Sequence, residues 1–472
     1  MLEAVLARAE RRWGRSRAAV LCAVLGIGIR CAVGLFPYSG EASPPRYGDY
    51  EAHRHWSAVT LHQRPPETWY RYRVEYWGID YPPWSAFHAY AMGRLAQWLG
   101  VADAVALSAD GYESATSRAV FRALVVVNDA ALFFPLSFGA CHGQLPCFAF
   151  LTVLQPCWVL VDHAHFQYNC VLLALVLAMI ATYRRWRHTC LAGAVLFKQM
   201  ALYYAPVLLA DDLHQRWTER QWWIDLGVGA LLFGGSLRPF RPVDVLRRVF
   251  PFERGIYEDK VANFWCVFTP VLRRTGLLRS TRLPWLCAAL TAMAAAPFAA
   301  AAWRTTPSPP TEARRQLCLR LTGCSLAFYL FSFHVHEKHI LLPLLPLSLL
   351  ITEHPEVVLW ASTIASLSLY PLLYREGSAP AVVALTMALL LCAGRPASLY
   401  YAVPSLALCI ALTLDWNPWR DRYPDLYPYL FALYSFGHLL ALLLWCYRQC
   451  FCTAPPLKRS RRPLACARKA SR

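Results

Sequence analysis

Apolar runs long enough to cross a bilayer, parted by short arginine-bearing loops, recur from residue 18 to residue 452 of this 472-residue chain. One soluble core cannot absorb them, because 57% of the residues are hydrophobic, 16% are charged and the mean hydropathy is +0.31. The pattern specifies an all-α polytopic membrane protein. Thirty-three prolines in such sequence predict broken and re-entrant helices, which a membrane tolerates only where protein or a water-filled cavity satisfies the freed backbone groups.

The net charge of +18 does not point to nucleic acid. Basic residues lie mostly in short interspan loops and at the two ends, a distribution that follows the positive-inside rule and suits anionic membrane lipid. Seventeen cysteines are scattered without a C-x-x-C or a paired Cys/His spacing, so they read as buried thiols. No metal and no cofactor is expected. The chain has no N-x-S/T sequon.

Arg8, Arg11, Arg12, Arg15 and Arg17 precede the apolar run 18–38. They hold residues 1–17 in the cytosol and send the loop 39–117 to the lumen, behind an uncleaved first helix. Spans near 118–138, 145–161 and 170–183 then place 162–169 in the lumen. Counting back from the basic tail 453–472 gives luminal loops at 241–282 and 334–338. The two counts meet if residues 189–213 cross twice or re-enter, which brings the chain to about 14 crossings, most of them within 118–452.

The first luminal loop is unusually rich in acids, imidazoles and aromatic rings. A helix over 50–62, entered at Asp49, sets Asp49, His53 and Trp56 on one face. A second amphipathic stretch, Trp84 to Leu99, has the aromatic content of a helix lying in the interface. By parity the clusters 47–56, 77–84, 162–169, 250–265 and 334–338 all fall on one side of the bilayer. Lysine usage sharpens this, because the chain has five lysines against 42 arginines, and Lys198, Lys260 and Lys338 lie in polar or intramembrane stretches.

Each candidate has a structural and a chemical reading. Asp49 can cap the helix that follows it, but Tyr47, His53, His55 and Trp56 around it favour a reactive carboxylate. Asp80, before Tyr81-Pro82-Pro83, can fix a rigid turn or face a substrate. His334 and His336 alternate as metal ligands do, yet Lys338 beside them repels a cation and suits an anionic phosphate. Glu337 can neutralise Lys338. Arg254 and Lys260, flanked by Phe250, Phe252, Tyr257, Phe264 and Trp265, read as a loop folded against the membrane surface.

Gly48-Asp49-Tyr50-Glu51-Ala52 with Arg54-His55-Trp56, Trp77-Gly78-Ile79-Asp80-Tyr81-Pro82-Pro83, His165-Phe166-Gln167-Tyr168-Asn169, Phe197-Lys198-Gln199-Met200-Ala201, the stretch Phe250 to Trp265 and His334-Val335-His336-Glu337-Lys338 together carry a resemblance. In this order they resemble the endoplasmic-reticulum dolichyl-phosphate-glucose glucosyltransferases. Glu258-Asp259-Lys260-Val261-Ala262-Asn263 and Trp77-Gly78 look like the branch that adds the first glucose to the nine-mannose lipid-linked oligosaccharide.

The resemblance implies an inverting, metal-independent transferase of the type C glycosyltransferase fold, set in the endoplasmic reticulum membrane with its site facing the lumen. The donor is dolichyl phosphate glucose and the acceptor a dolichyl-pyrophosphate oligosaccharide. It assigns Asp49 as general base and His334, His336 and Lys338 to the donor phosphate. Glu51, His55, Asp80, Tyr81, Arg254 and Lys260 are expected to contact substrate. The competing expectations are the second-glucose enzyme of the same family, a polytopic transporter or scramblase of lipid-linked sugars, and a non-catalytic subunit.

Overall fold

A computed structural model of the chain describes residues 2–451, except 45–47, 108–110, 183–184, 251–254, 257–259, 305–308, 394–397, 415–416, 418 and 420. Tyr47, Arg254 and the basic tail lie outside the described residues. The described residues form helices and connecting turns, with no β-strand among them. Among the described residues five helices are long and apolar enough to cross a membrane: Arg15–Val33, Ala115–Ala140, Leu145–Phe166, Leu283–Trp303 and Leu426–Phe451. The other expected crossings fall on shorter or more charged helices, such as Asn169–Ala181 and the arginine-bearing Pro310–Phe331.

Proline accounts for much of this interruption. Ahead of Pro135 the helix widens into a π turn, Asp129–Phe133, which relieves the clash between the proline ring and the preceding carbonyls. Gln155, extended, precedes Pro156 and breaks the span Leu145–Phe166. Its side chain accepts from the Cys157 amide and donates to the Ser348 and Ser362 hydroxyls, so the freed polar groups are satisfied inside protein.

Buried charge ties the early spans together. Arg30, in the first span, donates to the carboxylate of Asp129 in the second, and to the carbonyls of Thr152 (2.6 Å) and Gly26 (3.1 Å). His163 Nε2 lies 2.8 Å from the same Asp129 carboxylate. Gly26 lets the helices approach this closely, because a Cβ there would stand 2.7 Å from the Thr152 carbonyl oxygen.

The polar stretch 162–169, expected as a loop, is folded into the bundle. A π turn carries the span on to Phe166, and the Asp162 carboxylate accepts from the amides of Asn169 (3.0 Å) and Cys170 (2.6 Å), capping the next helix. A carboxylate satisfied in this way has no need of solvent.

Residues 187–215 go out and come back. Helix Arg187–Phe197 ends at the extended Lys198, a 3₁₀ turn covers Gln199–Tyr204, and helix Ala205–Gln215 returns. Arg187 Nη1 donates to Asp211 (2.8 Å) and Asp212 (3.2 Å), which puts the two ends of the hairpin side by side. The break at Lys198 points into the protein, where the candidate site begins.

Candidate active site

The helix Gly48–His62 carries Asp49 in its first turn. Gly48 has a φ of +55°, and a Cβ there would stand 2.4 Å from the Ser39 carbonyl oxygen, so only glycine lets this turn dock on the end of the first span. The Ser39 amide in turn donates to the His165 carbonyl (3.1 Å). Phe166 occupies the left-handed region at φ +82°, unusual for a bulky residue, and on either side of it His165 and Gln167 both reach Asp49.

All the hydrogen bonds to the Asp49 carboxylate fall on one oxygen. Gln167 Nε2 donates to Oδ2 at 2.5 Å, Lys338 Nζ donates at 2.7 Å, and His165 Nε2 lies 2.9 Å away. Among the described residues none falls on Oδ1. Burial alone would push this carboxyl up, but the Lys338 ammonium and then the His165 imidazole outweigh it and hold it well below the usual carboxylate range. Burial would lower Lys338, yet the Asp49 carboxylate, then Glu337, pushes its ammonium above the ordinary lysine range.

Lys198 fixes the Gln167 amide. Its ammonium, 1% exposed, donates to Gln167 Oε1 (2.8 Å) and Asn169 Oδ1 (2.7 Å) and lies 4.5 Å over the Tyr81 ring. An ammonium has only donors, so Gln167 must turn its oxygen to Lys198 and its NH₂ to Asp49.

The opposite wall is the segment Trp77–Tyr81, whose carbonyls are held by fixed donors. Trp56 Nε1 donates to Trp77 (2.9 Å), Arg248 to Gly78 (2.9 Å) and Ile79 (3.2 Å), and Tyr70 to Tyr81 (2.8 Å). A cavity of about 620 Å³ lies between these walls. Asp49, His53, Trp56, Asp80, Tyr81, Gln167, His334, His336 and Lys338 all line it, with Tyr203, Phe328 and Phe333 on an apolar flank. His334, at φ +56°, donates through Nδ1 to the Gly255 carbonyl at 2.9 Å, and its ring meets His336 edge-on. Burial, followed by the neighbouring His339, Lys338 and His334, keeps His336 neutral.

Six expected site residues, Asp49, Asp80, Tyr81, His334, His336 and Lys338, therefore meet in one cavity, and three do not. Glu51 is fully buried in a two-pronged pair with Arg54 (2.5 and 2.6 Å), joined by the Tyr76 hydroxyl. His55, also buried, faces Tyr72 and Tyr76, and neither ring nitrogen has a hydrogen-bond partner among the described residues. Lys260 pairs with Asp425 at 2.9 Å. Glu51, His55 and Lys260, expected to contact substrate, do not line this cavity: on a helix with one face toward it, positions two and six beyond Asp49 turn into the protein, and Lys260 is drawn to a carboxylate on another loop.

His165, Gln167 and Glu376 were not expected as site residues. His165 Nδ1 lies 2.7 and 2.9 Å from the two Glu376 carboxylate oxygens. His165 and Gln167 stand in a polar stretch whose parity put it on the side of Asp49, a usable signal. Glu376, alone between two apolar runs, offered parity and nothing more.

A helical membrane protein with a carboxylate, two imidazoles and an ammonium gathered at a cavity walled by aromatic rings has the equipment of a membrane-embedded group-transfer enzyme. The chain belongs to the ALG6, ALG8 glycosyltransferase family, which matches residues 26–445. It is similar to the dolichyl pyrophosphate Man9GlcNAc2 alpha-1,3-glucosyltransferase of Saccharomyces cerevisiae, 35% identical over 392 residues, covering 76% of this chain and 70% of that protein. The probable enzymes of the same name from Caenorhabditis elegans and Schizosaccharomyces pombe are 33% and 32% identical and cover 90% and 88% of this chain and 88% of each relative.

Proposed function

We propose that this protein transfers glucose from dolichyl phosphate glucose to the dolichyl-pyrophosphate-linked Man9GlcNAc2 oligosaccharide, forming an α-1,3 bond with inversion, at the luminal face of the endoplasmic reticulum membrane. Family membership and the names of the relatives support the reaction class and the acceptor. The observation that carries the mechanism is the asymmetry of Asp49. Three groups crowd Oδ2 and none of the described residues bonds Oδ1, on a side chain that lines the cavity.

Oδ1 takes the proton of the mannose 3-hydroxyl as that oxygen attacks the anomeric carbon from the side opposite the phosphate. The bond from C1 to the phosphate oxygen breaks, and dolichyl phosphate leaves with the electron pair. The leaving group is already a stabilised anion, so no general acid is required. Lys338 and His334, with the neutral ring of His336, are assigned to the phosphate as charge grows on it. Trp56 and Tyr81 supply aromatic faces for sugar rings, and Asp80 an acceptor for hydroxyls.

Incubating the purified protein with labelled dolichyl phosphate glucose and two acceptors, the nine-mannose and the one-glucose oligosaccharides, tests the reading. Label in the nine-mannose acceptor alone is expected. Label in the one-glucose acceptor alone identifies the second-glucose enzyme, and movement of lipid-linked sugar across vesicles without covalent transfer identifies a transporter.

A further inference from the structure

The loop after helix Tyr370–Arg375 reaches the site from the far end of the sequence. Gly377, at φ +78°, closes the helix, with its amide donating to Tyr374 (3.0 Å) and the Ser378 amide to Leu373 (2.8 Å). Ser378 Oγ donates to the Pro37 carbonyl (3.1 Å), and a Cβ on Gly377 would lie 3.3 Å from the Pro37 ring. The turn is thus pinned to the end of the first span, and Glu376 is delivered to His165 by fixed backbone.

His165 is thereby held between two carboxylates. Its side chain is 3% exposed, with Glu376 against Nδ1 and Asp49 against Nε2. Ionised carboxylates only accept, so the two of them ask for a proton on both ring nitrogens; Lys338 Nζ, 2.9 Å from Nε2 and itself only a donor, opposes the proton there, against one carboxylate at each nitrogen. With Lys338 also on Oδ2, two cations and two carboxylates close a group of balanced charge.

We propose that Glu376 is a positioning residue for the transfer reaction: by holding His165 as a doubly protonated ring against Asp49, it keeps Oδ2 occupied and presents Oδ1 alone to the acceptor hydroxyl. The proposal rests on the reading of Asp49 as general base. The charged and titratable groups facing the pair are Asp49 and His53 from helix Gly48–His62, Lys338 and His336 from the segment before Leu341, and Lys198 through Gln167.

The test is the pH dependence of kcat/KM for Glu376→Gln, assayed with dolichyl phosphate glucose and the nine-mannose acceptor. Without the second carboxylate the imidazole gives up its extra proton. Asp49 then loses a cationic neighbour and titrates at higher pH, so the acidic limb is expected to move up by about one pH unit. The turnover is expected to fall about tenfold as the base loses its alignment, with both KM values within about twofold. Glu376→Asp is expected to bring the limb back toward its original position. In a His165→Gln background, Glu376→Gln is expected to add no further loss, and this cycle decides the matter should the single variant prove poorly folded. An unmoved acidic limb, or losses that add in the double variant, overturns the proposal. If Asp49→Asn is inactive while Glu376→Gln behaves as wild type, this inference alone fails; if Asp49→Asn is active, the base assignment fails.

Discussion

Lys338 and Asp49, 289 positions apart, meet at 2.7 Å on the rim of the cavity, and the pair joins the two polar motifs that the sequence made most conspicuous. Their side chains keep 15% and 24% of their exposure, so the contact is open to substrate. An ammonium this close makes the carboxylate a weaker proton acceptor at rest. A donor phosphate arriving at Lys338 competes for that ammonium, which would return basicity to Asp49 when the donor is in place.

Lys338→Met removes the cation, and the Asp49 carboxyl then rises toward its ordinary range. The acidic limb of kcat/KM is expected to move to higher pH by at least about one unit, with KM for the donor raised. The same linkage governs stability. The lowered Asp49 pKa contributes stability that is complete above the ordinary carboxylate pKa and is lost as the pH falls through its depressed value. The raised Lys338 pKa contributes stability lost only in strong alkali. The wild type is therefore expected to melt at a constant temperature between about pH 6 and 8 and lower in acid, and Lys338→Met to show a shallower acid decline.

His336 lines the cavity beside Lys338 and is held neutral, so under the proposed function it would meet the donor phosphate as a hydrogen-bond donor and not as a charge. His336→Ala is expected to raise KM for the donor about tenfold and leave KM for the acceptor within about twofold, a difference of about 1.4 kcal/mol. Equal effects on the two substrates count against contact with the phosphate.

Much of this was legible in the sequence, for physical reasons. Ionisable residues are costly in lipid, so Asp49, His334, His336 and Lys338 stood out against their apolar surroundings, and counting spans put them on one side. The structure brings these four to one cavity. Side-chain direction within a helix was not legible: Glu51 and His55 share the Asp49 motif but turn into the protein, because a rotation of about 100° per residue sends neighbours to different faces. Helix continuity was not legible where proline and π turns intervene, and 162–166 continue the helical run that begins at Leu145. The role of Glu376 depends on a turn pinned by Gly377 and Ser378 to Pro37, a contact across 340 positions that no local pattern encodes.

The Arg30–Asp129 pair is the structural counterpart of the site. Both side chains are buried, at 0% and 2% exposure, and removing one partner leaves an uncompensated charge among apolar helices. Arg30→Met is expected to cost about 3–5 kcal/mol and to lower the melting temperature in detergent, while Arg30→Met with Asp129→Asn recovers most of the loss. The losses would simply add if the two side chains acted independently.

The central claim is that one oxygen of Asp49 removes the acceptor proton. The direct measurement is the transfer rate of Asp49→Asn in a reconstituted assay with labelled dolichyl phosphate glucose and the nine-mannose acceptor, on protein shown by melting to be folded. The account predicts a fall of ~10²-fold or more, the contribution of a positioned base. A rate close to that of the wild type contradicts it.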